Sequence, residues 1–365
     1  MYFLFLHIEG KRFIISDRLV WTMGLKSEIR RHYRRTSRSD RKDLIAHWDE
    51  EEYHEEEIKK VFSVIFRTKG CYRCYSAGCS MCGYYTDTNP DIDDEDIEEQ
   101  LNEALSYYEG QKIVKIYTSG SFMDEKEIDD KTALKILKSF DADKIVIETR
   151  PEFTDKNRIK RFSKAVDELE VALGLESAND FVLQNCINKG FTFQDYKDCV
   201  DKISDLVSIR TYLLLKPPFL TEKEAIEDLR NSIRKISDIT DMISINPVNI
   251  QKGTLLEELW HRDLYSPPWL WSLVEVLSSL NGSKVPIVVS KAGLGSERGA
   301  ANCENCDDEV IDLLEEFNRS QDLDLMNKSP SCSCKDRWKL EKEIAPYLHF
   351  RGSSKILRDR YTGYV

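Results

Sequence analysis

No stretch of this chain approaches the ~18 consecutive apolar residues that a membrane span requires, so no segment is expected to cross a bilayer. The apolar start, Met1 to Leu6, is too short for the hydrophobic part of a secretion leader. It also lacks a basic lead and a cleavage site. A cytoplasmic protein is the expectation. Internal repeats and low-complexity tracts are missing as well. With 41% hydrophobic and 32% charged residues, disorder and fibre are excluded as the dominant state. The 365 residues suffice for one large domain with an appendage, or for two domains.

Cations are in deficit, at a net charge of −12, which taken alone argues against a nucleic-acid-binding surface. Their distribution argues otherwise. Residues 26–42 carry eight Lys or Arg against two acids, and residues 335–360 carry eight against four. Residues 91–110 hold nine acids and no base. A folded RNA could dock on the basic stretches while the acidic one faces elsewhere; a solvated charged face is the plainer alternative.

Cysteine is plentiful, at ten residues, and clustered. Four lie in Cys71–Cys82 and four in Cys303–Cys334, a pattern that in a reducing compartment points to metal or redox chemistry. Cys186 and Cys199 stand apart and read as buried core thiols.

Residues 1–60 read as a polar, helix-rich lead, basic and then acidic, ending at Glu50–Glu57. From residue 61 short β-branched runs alternate with amphipathic segments. Strands are predicted at 61–66, 112–117, 144–148, 170–175, 209–215 and 242–246, with helices between them. Such a rhythm implies a parallel sheet with right-handed crossovers, either rolled toward a barrel or open. In both, chemistry sits at the C-terminal ends of the strands. The tail from about 290 loses the rhythm.

After the first strand, Cys71, Cys79 and Cys82 share one glycine-containing loop, and three soft ligands there suit an iron–sulfur cluster with one open iron. Cys74 offers a fourth thiol. Two Cys–x2–Cys pairs so close together fall short of the usual zinc-ribbon spacing. Thr118, Ser119, Gly120 and Ser121 follow the second strand, where small residues let backbone approach a ligand. Glu148 and Arg150 end the third strand on one side, as a ribose and carboxylate pair or as a simple ion pair. Glu176 and Lys216 end the fourth and fifth. Cys303, Cys306, Cys332 and Cys334 form two close pairs 25 residues apart and read as a structural Zn2+ site, with an auxiliary iron–sulfur cluster as the alternative. His261 and His349 are isolated and read as ordinary residues.

Together these residues resemble the radical S-adenosylmethionine (SAM) superfamily over roughly residues 60–250. The runs TSGSF, ETRPEF, GLESAND and INKGF look like the branch containing the Elongator catalytic subunit. CSMCGY, LLLKPPFLTEKEA, ERGAANCENCD and CSCKDRW, added to them, resemble the archaeosine-synthase radical SAM subunit family over essentially the whole chain. The implied fold is α/β. It is a partial (β/α)6 TIM-like barrel at 61–290, with a helical N-terminal extension at 1–60 and a small Cys-rich, metal-stapled C-terminal region with a basic tail at 291–365.

The resemblance also implies chemistry. Cys71, Cys79 and Cys82 would ligate a [4Fe–4S] cluster whose open iron binds SAM. The Thr118–Ser121 turn would receive the SAM amino group, and Glu148, Arg150, Glu176 and Lys216 would complete the cofactor-binding set. Met81 stands where many members carry an aromatic beside the adenine, and Tyr84 is the candidate replacement. The gap from Cys71 to Cys79 is longer than the superfamily's usual one, and Cys74 is a bystander. The implied substrate is a tRNA whose D-arm base 15 carries lysine, placed there on 7-cyano-7-deazaguanine by a lysine-transferring archaeosine synthase subunit. A 5′-deoxyadenosyl radical would abstract a hydrogen atom so that a C–N bond of the adduct breaks, leaving archaeosine. The competing readings are another radical SAM tRNA modifier, Elongator-like or methylthiotransferase-like, and a zinc-binding RNA adaptor. Because the cluster loop lies elsewhere in the chain, reversing the charges of Arg30, Arg31, Arg34 and Arg35 is expected to spare SAM cleavage.

Overall fold

The computed structural model describes residues 5–8, 11–14, 18–32, 41–280 and 285–344. Strands β1 (Phe5–Ile8) and β2 (Lys11–Ile14) pair antiparallel and precede helix α1 (Arg18–His32). β3 (Ala46–His54) and β4 (Glu57–Phe66) form an antiparallel hairpin. Its turn residues, Glu55 and Glu56, lie at φ +50° and +64°, the left-handed pair that matches the twist of a two-residue hairpin.

The acidic end of the lead is therefore a strand where the sequence suggested helix. The reason is alternation. His47 stacks on Tyr107 and Asp49 accepts from Gln111 on the helix side, while Trp48, Glu50 and Glu52 turn to the inner side of the sheet.

From β4 onward the expected rhythm holds. β5 (Ile113–Thr118), β6 (Lys144–Thr149), β7 (Glu168–Glu176), β8 (Ser208–Leu215) and β9 (Met242–Pro247) each pair in parallel with the strand before. Between them run α2 (Asp94–Tyr107), α3 (Asp130–Ser139), α4 (Lys156–Ser163), the short α5 (Asp180–Val182), α6 (Phe193–Ile203) and α7 (Glu222–Ile236). Capping boxes at Asp93, Thr192 and Thr221 start α2, α6 and α7. α8 (Leu255–His261), α9 (Leu270–Ser278), β10 (Ile287–Val289), α10 (Asp307–Ser320) and α11 (Cys334–Ile344) follow. β10 pairs in parallel with β9, so the sheet runs β3 to β10 in sequence order as a curled half-barrel.

Its outer face packs on helices through Phe62, Val64, Val114, Ile116, Ile145 and Ile147 against Ile136, Leu137, Ile159 and Phe162. The edges, β3 and β10, do not pair with each other, and α10 lies against both. Asn318 gives its amide group to the N–H and C=O of Val289, Gln321 accepts from Ile287 N, and Arg319 faces Glu51. Side chains thus satisfy the free edge of β10 that a further strand would otherwise pair.

The inner face carries charge. Lys115 Nζ lies 2.6 Å from Glu50 and 2.7 Å from Glu52, and Lys144 Nζ lies 2.7 Å from Glu170. Arg210 pairs with both Glu52 and Glu170. Lys115, Glu52, Arg210 and Glu170 are all buried. Toward the C-terminal ends the inward residues Ile65, Tyr117, Glu148, Glu176, Tyr212 and Asn246 become partly exposed while their strand neighbours stay buried. The half-barrel therefore encloses a chamber open at the strand ends and closed below by ion pairs.

Candidate active site

The cysteine loop after β4 is tied down on three sides. Cys71 N donates to Ser119 O (3.3 Å) in the turn after β5. Ser80 N donates to Ile187 O (2.9 Å), and Asn188 Nδ2 to Gly78 O (2.6 Å), in the loop after β7. Gly83 N donates to Gln251 Oε1 (2.5 Å), beyond β9. The long gap between Cys71 and Cys79 is taken up by a 3-10 turn, Tyr72–Tyr75, inside which Cys74 sits. Arg73 donates to Asn188 O (2.6 Å). Gly190, at φ +89°, leaves room for that guanidinium, which a Cβ would meet at 2.3 Å.

The thiols are electrostatically unequal. A hydrogen bond with Cys74 lowers the Cys71 thiol to about 6 against its burial, with help from Arg150. Burial pushes Cys79 up, opposed by Lys189 and Arg150. A bound iron would draw the thiolate form from each.

The turn Thr118–Ser121 lies against this loop. A Cβ on Gly120 would stand 1.9 Å from Glu127 Oε1 and 2.6 Å from Cys71 N, so nothing larger fits. Glu127 is a site residue that sequence reading missed. Its two oxygens accept from Ser121 N (2.9 Å) and Thr68 Oγ1 (2.7 Å), and burial raises its carboxyl to about 8. Only its place six residues after a strand-end turn pointed to it, and that turn is followed by several acids. Ser119 Oγ is buried with no hydrogen-bond partner among the described residues.

Glu148 faces the chamber. Its carboxylate makes no hydrogen bond or ion pair among the described residues, and burial, then Glu176, raise it to about 7. Arg150 does not pair with it. The guanidinium binds Glu152 (2.7 Å) and Lys189 O (2.7 Å), over the rings of Tyr72 and Phe191. Glu176, at φ +73°, pairs with Lys189 at 2.6 Å, so the INKGF run supplies a cation that sequence reading did not single out. Lys216, at φ +64°, is buried with its ammonium 2.7 Å from Glu222 and 3.2 Å from Ser266 Oγ. Met81 packs against the buried cluster of Cys79, Val182, Cys186 and Ile187, and Tyr84 is 52% exposed.

In the C-terminal region the sulfurs of Cys303, Cys306, Cys332 and Cys334 all lie within 4.8 Å of one another. Cys303–Cys306 and Cys306–Cys334 are 3.5 Å apart and Cys303–Cys332 3.6 Å. Trp271 Nε1 donates to Cys334 Sγ (3.1 Å), and Asp307 Oδ1 accepts from Cys303 N (3.0 Å). Trp338, beside this site, is buried with its indole N–H on Ser272 Oγ (2.9 Å). Cys186 and Cys199 are buried, as expected, and His261 is exposed. His349 lies outside the described residues.

The charged stretches are rearranged in space. Acids of α2 do not face elsewhere: Glu99 holds Lys42 (2.6 Å) and Asp96 lies 3.6 Å from Arg41. Helix α1 buries Leu25 and Ile29 against Leu256 and Trp260 of α8. That docking brings Arg30 Nε onto the carbonyl of Ser76, in the cysteine loop. The basic run is thus distant from the loop in sequence but touches it in the fold. Arg34, Arg35 and residues 345–360 lie outside the described residues.

Residues 65–231 match the family model described as the Radical SAM superfamily, and the chain is a radical SAM enzyme. An archaeosine synthase subunit beta from Methanosarcina acetivorans is 38% identical over 303 residues, 80% of this chain and 87% of that protein. One from Thermococcus kodakarensis is 39% identical over 80% of this chain and 95% of its own length. A solved queuine lyase from Clostridium spiroforme, bound to SAM and queuine, aligns at TM-score 0.45 and 22% identity, over 66% of this chain and 94% of that one. The chain belongs to the archaeosine synthase subunit beta family. Its superfamily works with SAM and a [4Fe–4S] cluster. The residues present fit both groups: soft thiols on one braced loop, an orphaned Ser119 hydroxyl and an unpartnered Glu148 carboxylate.

Proposed function

We propose that this protein completes archaeosine on tRNA, cleaving a C–N bond in the lysine adduct of the 7-cyano-7-deazaguanine base at position 15. The observation that carries this reading is the braced cysteine loop set against the Thr118–Ser121 turn, in a chain of this family. Cys71, Cys79 and Cys82 would hold the [4Fe–4S] cluster, with Cys74 left as a hydrogen-bond partner. When bound, cluster and SAM supply one-electron cleavage to a 5′-deoxyadenosyl radical, and a radical beside a C–N bond can expel nitrogen where proton chemistry is slow. This chain's residues aim that chemistry. Ser119 and its turn take the amino group of SAM, Glu148 its ribose hydroxyls, and Arg150 its carboxylate side. Glu176 and Lys189 hold the loop walls, Lys216 braces the mouth from below, and Met81 and Tyr84 flank the adenine. The substrate, seated over the open strand ends, would complete the enclosure and keep water away from the reacting carbon.

Cys303, Cys306, Cys332 and Cys334 fit one Zn2+. At about 2.3 Å per Zn–S bond a tetrahedron places sulfurs near the separations found here, whereas a cubane gives each thiolate its own iron and spreads them. The tRNA and a lysine-transferring subunit are the proposed partners, in the cytoplasm. No helix among the described residues is long and apolar enough to cross a membrane. The domain division at 60 and 290 stands as part of this proposal.

The test is reconstitution on tRNA carrying the lysine adduct, read by nucleoside mass spectrometry. Cys71→Ala, Cys79→Ala and Cys82→Ala should each abolish archaeosine and SAM cleavage, and Cys74→Ala should spare both. Turnover in Cys79→Ala with full iron would overturn the assignment.

A further inference from the structure

The chamber has one wall that the proposed chemistry of SAM leaves unused. Trp48 lies on the edge strand β3, and its alternation with His47 and Asp49 turns it to the inner side of the half-barrel. Its ring is stacked on that of Tyr117, 6.1 Å between centroids and 6° from parallel. The Tyr117 hydroxyl in turn meets that of Tyr212 at 3.5 Å, across the chamber from β5 to β8. Trp48 is 38% exposed, an unusual state for an indole on the inner face of a sheet. Below this wall the charged floor is closed by its own pairs, Glu52 and Glu170 against Lys115 and Arg210.

We infer that Trp48, Tyr117 and Tyr212 form the seat for the flat base of the target nucleotide. This inference rests on the function proposed above. A base that must react inside a protein has to leave its stack, and aromatic faces replace the stacking it gives up. Trp48 offers an open face at the sheet's unclosed side. The two phenol hydroxyls lie on β5 and β8, inward of the edge strand, where they can meet the polar edge of a base or of its amino-acid arm. Charge agrees with this. Lys115 and Arg210 are already paired with acids, so the seat favours a neutral heterocycle over a phosphate.

The experiment uses iron-loaded protein, with kcat/KM for lysine-bearing tRNA measured on Trp48→Ala, Trp48→Tyr and Tyr212→Phe. Trp48→Ala should lose about ten- to hundredfold through KM for the tRNA, with Trp48→Tyr restoring most of it. Tyr212→Phe should lose less than Trp48→Ala. Unchanged kcat/KM in Trp48→Ala would overturn the inference, as would a loss that appears in SAM affinity instead. A second measurement separates this inference from the proposed reaction. The fluorescence difference between wild type and Trp48→Phe is followed as 7-cyano-7-deazaguanosine is added. Quenching of the Trp48 signal supports a base seat even if the wild type forms no archaeosine. No quenching in a wild type that does form archaeosine sinks the seat and leaves the reaction standing.

Discussion

Glu127 shows how much a single buried acid can organise through its two carboxylate oxygens. One oxygen holds Ser121 N and the other Thr68 Oγ1, so it fastens the Thr118–Ser121 turn, proposed above to take SAM, to the start of the cysteine loop. Glu127→Gln keeps an oxygen for Ser121 and leaves the side-chain volume unchanged. Glu127→Ala removes both bonds and leaves Ser121 N without an acceptor. The alanine variant should therefore raise KM for SAM about ten- to hundredfold, and the glutamine variant much less. Equal KM values for SAM in wild type and alanine variant, with iron content matched, would contradict that role. At this scale the sequence was informative wherever an unusual residue type stood at a strand end. Cysteine is rare enough, and Thr118–Ser121 small enough, to mark themselves. Glu127 carries no such mark, since Asp124, Glu125 and Asp129 surround it and a short acidic stretch before a helix is ordinary capping. Lys189 and Arg73 were hidden for another reason: their partners Glu176 and Asn188 are brought to them by tertiary structure.

Helix α1 gives the clearest change of expectation among the elements. Its apolar residues Leu25 and Ile29 dock it on α8, and Arg30 then reaches the carbonyl of Ser76. Arg30→Glu should therefore lower iron loading as well as tRNA affinity. Arg31→Glu, which loses only an exposed pair with Glu28, should act on tRNA alone if it meets a phosphate. For every phosphate no longer neutralised, the salt dependence of binding should flatten by about 0.7 to 0.9 log units per decade. Iron analysis and salt titrations on the two variants decide this. An Arg30→Glu variant with full iron would contradict the reach of Arg30 into the cysteine loop. The strands β4 to β9 were legible because most of their residues on both faces are buried and read as β-branched runs. β3 was not. Its inward positions are Trp48, Glu50 and Glu52, so the period-two pattern is written in acids, which by composition suggest a solvated helix. β10 has three residues and is completed by amides of α10, a pairing no local pattern announces.

Two long-range devices tie distant parts of the described chain together. One is the cysteine quartet, which sits at the start of α10, the helix that spans the gap between the sheet edges. Removing the Zn2+ proposed there should loosen that helix and expose the edge of β10. A chelator, or Cys306→Ser, should lower Tm and make the chain cleavable by protease between 290 and 334, while the β4–β8 core stays protected. Uniform protection after removal of the metal would show that the quartet does not brace α10. The other is the buried ion group in the barrel. Arg210→Met would leave Glu52 and Glu170 short of a counter-charge and should cost about 3–5 kcal/mol, read as a shift in denaturation midpoint. Replacing Glu50, Glu52, Lys115, Lys144, Glu170 and Arg210 together by apolar residues of similar volume should cost far less than that single change.

That buried group also bears on how such a chain can diverge. Glu52 and Arg210 are 158 positions apart, yet neither can change its sign unless the other follows. Lys115 and Glu170 extend the same obligation to two further strands. A drifting lineage cannot try these positions one at a time without passing through an unstable intermediate. They should be inherited as a block, kept together or replaced together. A hairpin grafted from a distant relative onto this barrel should fold only if it brings an acid to the place of Glu52.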